Sequence, residues 1–125
     1  MEYSAGVMGD SDRAAGHVPL AAHLFEILLS MSEGPMHGYA LIGDIRRRTG
    51  GAVTLGTSSL YAAIYRLRRD GLVADVEPRD PPESEGAPRR TYGITPLGRR
   101  VLRLEALRLQ DVAEVARRRV LERGR

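Results

Sequence analysis

The chain has no cysteine and no tryptophan, a single phenylalanine, and not one lysine among its nineteen basic residues. Without cysteine there are no disulfides, no thiolate nucleophile and no zinc-cysteine site. No apolar run approaches the roughly 20 residues that span a bilayer, and residues 1–19 lack the apolar core of a signal peptide, so a cytoplasmic protein with no membrane partner is expected. What remains is ordinary for a globular chain: 125 residues, 42% hydrophobic and 28% charged, enough for one core. Arginine suits bidentate phosphate and guanine contacts, although genomic base composition accounts for an arginine-only chain at least as well.

The net charge of +3 hides strong segmentation. Residues 1–39 carry Arg13 against five acids, whereas residues 40–70 carry six arginines against Asp44 and Asp70. Residues 71–88 are acidic again, with five carboxylates against Arg79, and residues 89–125 hold eleven arginines against four acids. Two basic blocks in an otherwise balanced domain point to an anionic partner such as nucleic acid.

Periodicity places the first ordered element from Leu20 to Met31, after a flexible extension over 1–18. Its apolar positions leave only a narrow polar stripe at His23, Glu26 and Ser30, so the helix is buried on most sides, part of it against another chain. Gly34-Pro35 ends it. A second helix fits Gly38 to Thr49, with Arg46, Arg47 and Arg48 at its C-terminal end, where cations complement the dipole. A third starts at Thr57-Ser58-Ser59, good capping chemistry, and runs to Asp70 with Gly71 as its stop. Leu60, Ile64 and Leu67 face inward, while Ser58, Ala62, Tyr65, Arg66 and Arg69 lie opposite, flanked by Tyr61. Two strands, Leu72–Val76 and Arg90–Ile94, form a hairpin around a Pro/Glu/Asp/Gly-rich tip. From Pro96 to about Arg123 a final helix of roughly 42 Å is expected, too long for a domain whose radius of gyration is about 13 Å. Its apolar positions divide into Leu97, Val101 and Leu104 on one edge and Leu102, Leu109, Val112, Ala116 and Val120 on another. Two apolar edges call for two partners, its own domain and a second subunit.

Helix, helix, third helix and hairpin is the order of a winged helix-turn-helix, here over residues 19–95, with residues 96–125 as a dimerisation arm. The fold class is mainly α with a small β-hairpin. Such a domain binds double-stranded DNA by laying its third helix in the major groove. The expected contact set is Tyr39, Thr57, Ser58, Ser59, Tyr61, Ala62, Tyr65 and Arg66, with Arg89 and Arg90 at the wing base. Small residues allow close approach, Arg66 reaches phosphate or guanine, and Tyr61 serves equally well as a packing residue. The expected dimer surface is Leu20, Leu24, Phe25 and Leu28 of the first helix with Leu102, Leu109, Val112, Ala116 and Val120 of the last. The three histidines are scattered without a metal-ligand spacing, no catalytic constellation appears, and no cofactor is expected. Arg117-Arg118-Arg119 reads as a solvated helix end. The rival readings are a winged helix serving as a protein-interaction module, favoured by the acidic tip, and a small-molecule carrier or enzyme built around the dimer channel.

Several spaced stretches also resemble the PadR family of bacterial transcriptional regulators. They are Leu28 through Tyr39, Leu55 through Ile64, Arg66-Leu67, Asp70 through Val73, and Arg89 through Gly98. The resemblance covers about residues 24–110. It implies a homodimer paired through the first and last helices that binds operator DNA, usually represses, and in many relatives is released by a small, often aromatic, effector near the dimer interface. Three departures qualify it. Thr57-Ser58 stands where the family often has proline then glycine. The absence of tryptophan removes the stacking mode of multidrug-binding relatives. The tip from Glu77 to Pro88 carries Glu77, Asp80, Glu83 and Glu85 against Arg79, a charge that phosphate repels.

Overall fold

A computed structural model describes residues 10–76 and 90–122. In chain order it contains helix α1 (Asp10–Ala15), helix α2 (Ala22–Ser30) closed by a 3-10 turn (Met31–Glu33), and strand β1 (Met36–His37). Helices α3 (Gly38–Arg48) and α4 (Thr57–Arg69) follow, then strands β2 (Val73–Val76) and β3 (Thr91–Ile94) and the long helix α5 (Pro96–Ala116). Residues Arg117–Glu122 continue α5 in wider turns. Two helices, a third helix, a hairpin and a C-terminal helix are the winged-helix order expected from the sequence.

The core forms where the inward stripes of α2, α3 and α4 meet. Ile27, Leu28 and Met31 pack with Leu41 and Ile45 of α3 and with Leu60, Ile64 and Leu67 of α4, all buried. The 3.6-residue period of each stripe is what brings these side chains to one centre. Gly71, in the left-handed region at φ +78°, ends α4, and the Leu72 amide donates to the Leu67 carbonyl, turning the chain directly into β2.

Among the described residues the strands form one antiparallel sheet in the order β1-β3-β2. Val73 pairs with Ile94 and Val76 with Thr91, while Met36 and His37 pair with Tyr92 and Thr91. β1 was not expected, because two residues give no alternation to read. It ties the start of α3 to the wing.

Three expectations need correction. The first ordered element is not the helix near Pro19, because α1 precedes it and buries Ala14 against the core and α5. Local composition hides this, since α1 is held by a partner far along the chain. The cap of α4 is Gly56, with extended backbone and no side-chain cap bond, so Thr57, Ser58 and Ser59 lie exposed in the first turn and do not close it. Regular α-helix in α5 ends at Ala116, short of the expected Arg123. The Gly124 stop, Arg89 and the acidic tip lie outside the described residues.

α5 starts as the sequence indicates. The Thr95 hydroxyl accepts from the Gly98 amide at 3.0 Å and donates to the Gly71 carbonyl at 2.7 Å, and Pro96 occupies the first turn. Gly98 sits directly on the backbone just before β2, where an added Cβ would overlap the Leu72 carbonyl oxygen.

Candidate nucleic-acid interface

α4 carries four buried side chains along one stripe, Leu60, Ala63, Ile64 and Leu67. Helical geometry therefore sets Ser58, Ala62 and Tyr65 on the outward stripe, each exposed, with Tyr65 64% accessible. Ser59 and Arg66 flank this stripe on one side, Tyr61 and Arg68 on the other. From Thr57 to Arg69 there is no carboxylate.

The Tyr61 flank faces the wing. An added Cβ at Gly38 would overlap the Tyr61 hydroxyl, so glycine there lets the Tyr61 ring lie against the start of α3. Tyr61 thus packs against α3 while remaining 39% exposed. Next to it Tyr39, in the first turn of α3, is 67% exposed and stands free for an external contact. The His37 Nδ1 accepts from the Ala40 amide at 3.4 Å and caps α3.

Arg68 donates to Asp75 of β2, with Nε 3.3 Å from Oδ1, and Arg90 stands 3.8 Å from Asp75 Oδ2. One carboxylate therefore joins α4 to both strands at the wing base. Arg69 lies 3.2 Å from Asp70. Arg66 is exposed beside the outward stripe. It lines a cavity of about 380 Å³ with Gly16 to Ala21, Leu24 and Asp70, so it borders the N-terminal segment and not the middle of the outward stripe.

At the C-terminal end of α3 the three arginines have separate fates. Arg48 is spent inside the molecule: it donates to Asp44 at 3.0 Å, to the Glu26 carboxylate at 2.9 Å, to the Glu26 carbonyl at 3.0 Å and to the Ser30 hydroxyl at 2.7 Å. Ser30 in turn donates to Asp44 at 2.7 Å. That hydroxyl, followed by the Arg48 guanidinium, holds the Asp44 carboxyl below the ordinary aspartate range. Two of the three residues of the polar stripe on α2, Glu26 and Ser30, are therefore an internal link to α3. Arg46 and Arg47 remain exposed.

The nine residues expected at a subunit contact divide. Leu24 and Leu28 are buried in the chain's own core and have little or no surface left for a second subunit. Leu20, Phe25 and Leu102 are half-buried. Leu109, Val112, Ala116 and Val120 are all exposed, and Val115 and Leu121 extend the uncovered apolar surface. Sequence reading missed Glu105, only 1% exposed. Its two oxygens accept from Arg108 at 2.8 and 2.7 Å, and the Leu20 amide also donates to it. The Arg108 bonds, the larger influence, hold its carboxyl below the ordinary glutamate range. Its spacing of four from Val101 put it on the buried edge, the one available signal.

No described helix is long and apolar enough to cross a membrane. The profile of the transcriptional regulator PadR-like family matches residues 27–104. An uncharacterised 37.1 kDa protein in a transposon of Streptomyces fradiae is 36% identical over 80 residues, 64% of this chain but only 21% of that protein. The chain thus spans about a fifth of that relative's length. A transcriptional regulator from Clostridium thermocellum superposes with a TM-score of 0.64 at 25% identity, covering 91% of this chain and 99% of the other. Bacillus subtilis PadR, solved in complex with operator DNA, shares the fold at 18% identity with a TM-score of 0.57, over 66% of this chain and 46% of that one.

Proposed function

Because the chain belongs to the PadR-like family of transcriptional regulators, we propose that it acts as a homodimeric, DNA-binding repressor rather than an enzyme or a protein-docking module. The observation that carries this reading is the outward stripe of α4. Ser58, Ala62 and Tyr65 stand clear of their own chain, on a helix without a single carboxylate. Small side chains let the helix sink into a major groove, where the exposed Tyr39 and Tyr65 would hold phosphates beside it.

Dimerisation supplies the second α4. Two recognition helices must match half-sites about 34–36 Å apart or a multiple of that, and the separation is set by how the two α5 helices cross. The uncovered residues Leu109, Val112, Ala116 and Val120 support this role for the arm, with Leu20, Phe25 and Leu102 beside it. An effector lodging near this contact acts by favouring a dimer in which the separation no longer fits, and its leverage equals its difference in affinity between the two states.

Ser58→Glu tests the reading with a built-in control. Ser58 is exposed in the first turn of α4, where a carboxylate favours the helix dipole, so folding should be unharmed. Operator affinity should fall by at least about a hundredfold, since the new charge meets phosphate and base acceptors. A Ser58→Glu chain that binds selected fragments of the source genome as the parent does removes α4 from the interface.

A further inference from the structure

Resting on the reading that α4 enters a DNA groove, we infer that α4 reads sequence through a thymine C5-methyl group lying on the Ala62 side chain, and not through an arginine fork on guanine. Strongly discriminating hydrogen-bonded base readout uses a guanidinium, an ammonium, a carboxamide or a carboxylate that reaches the base edge. The sequence from Thr57 to Arg69 has no asparagine, glutamine or lysine, and its cations, Arg66, Arg68 and Arg69, all fall in the last turn. They stand at the opposite end of the helix from its N-terminal turns. Arg68 binds Asp75 of β2, Arg69 is paired with Asp70, and Arg66 borders the cavity beneath residues 16–21.

The part of a recognition helix that contacts base edges is its N-terminal part. There the outward groups are the two hydroxyls of Ser58 and Ser59 and the methyl of Ala62, all exposed. A serine hydroxyl accepts or donates and so discriminates weakly, and the Tyr65 hydroxyl is long enough to reach the backbone. Ala62 lies one turn from both Ser58 and Tyr65 and is an apolar group with no partner inside its own stripe. In the major groove the one apolar feature of a base pair is the thymine methyl. Covering one methyl-sized group carries about a fourfold change in affinity, so two symmetric half-sites carry about fifteenfold.

The test uses duplexes enriched from a random-sequence pool by the full-length chain. Each thymine is then replaced singly by deoxyuridine, which removes the methyl and keeps every hydrogen-bonding group. At one thymine per half-site the replacement should weaken binding about fourfold. In the Ala62→Gly chain the thymine-to-deoxyuridine ratio at that position should fall to one, and a ratio taken within one chain cancels any change in helix stability. Enriched duplexes indifferent to deoxyuridine at every position, above all if they respond to 7-deazaguanine, overturn the inference and leave DNA binding standing. A pool that yields no enrichment at all overturns the inference together with the reading beneath it.

Discussion

Replacing both Leu109 and Val112 with glutamate should convert the protein into a folded monomer. In the single chain these side chains are 37% and 51% exposed, so neither holds the core together, and glutamate is a good helix former. Full burial of a leucine or valine contributes about 1.5–3 kcal/mol. Covering the remaining third to half of each therefore recovers about 1 kcal/mol. By two-fold symmetry every contact counts twice, giving about 4 kcal/mol from these positions alone. Carboxylates placed in the same seam add a desolvation cost, so the dimer dissociation constant should rise by at least about a thousandfold. Sedimentation equilibrium reads this directly, and far-ultraviolet circular dichroism with a thermal melt confirms that the fold survives. A doubly substituted chain that remains dimeric within tenfold of the parent refutes the assignment of the arm. An unfolded chain refutes the claim that these residues lie outside the core.

Gly98→Ala forces a Cβ onto the Leu72 carbonyl, which the Thr95 amide already fixes. Overpacking against backbone should lower unfolding stability by about 1–3 kcal/mol, measured by urea denaturation, despite alanine's better helix propensity. Arg48→Ala leaves Glu26 and Ser30 without their guanidinium partner and Asp44 with Arg47 alone, and should cost about 1–3 kcal/mol in the same assay. Glu105 titrates in the folded state below its ordinary value. As pH falls, the unfolded chain therefore takes up the proton first. Its contribution is complete above the ordinary glutamate value and is lost on descending through the depressed folded one. Glu105→Gln should lower stability at neutral pH and flatten that acid limb in pH-dependent melts.

The elements with strong period or punctuation were legible from the residues. Gly34-Pro35 and Gly71 bounded the helices, and Pro96 marked the start of α5 to the residue. What escaped depends on partners distant in the chain. α1 exists because Ala14 finds a place against the core, and β1 exists because β3 pairs with it. Leu24 and Leu28 looked available to another subunit only while α4 had no position. The outward stripe of α4 was readable because burying Leu60, Ile64 and Leu67 leaves its composition no choice. The pairing of Arg68 with Asp75 was not, because it depends on where β2 falls in space.

The decisive experiment is the affinity of the full-length chain for an enriched duplex, followed across salt concentration. A dimer holding six or more phosphates should give a log–log slope of about −5 or steeper, at a stoichiometry of two chains per duplex. Binding that is insensitive to salt, or enrichment of no duplex at all, contradicts a DNA-binding role for this winged helix.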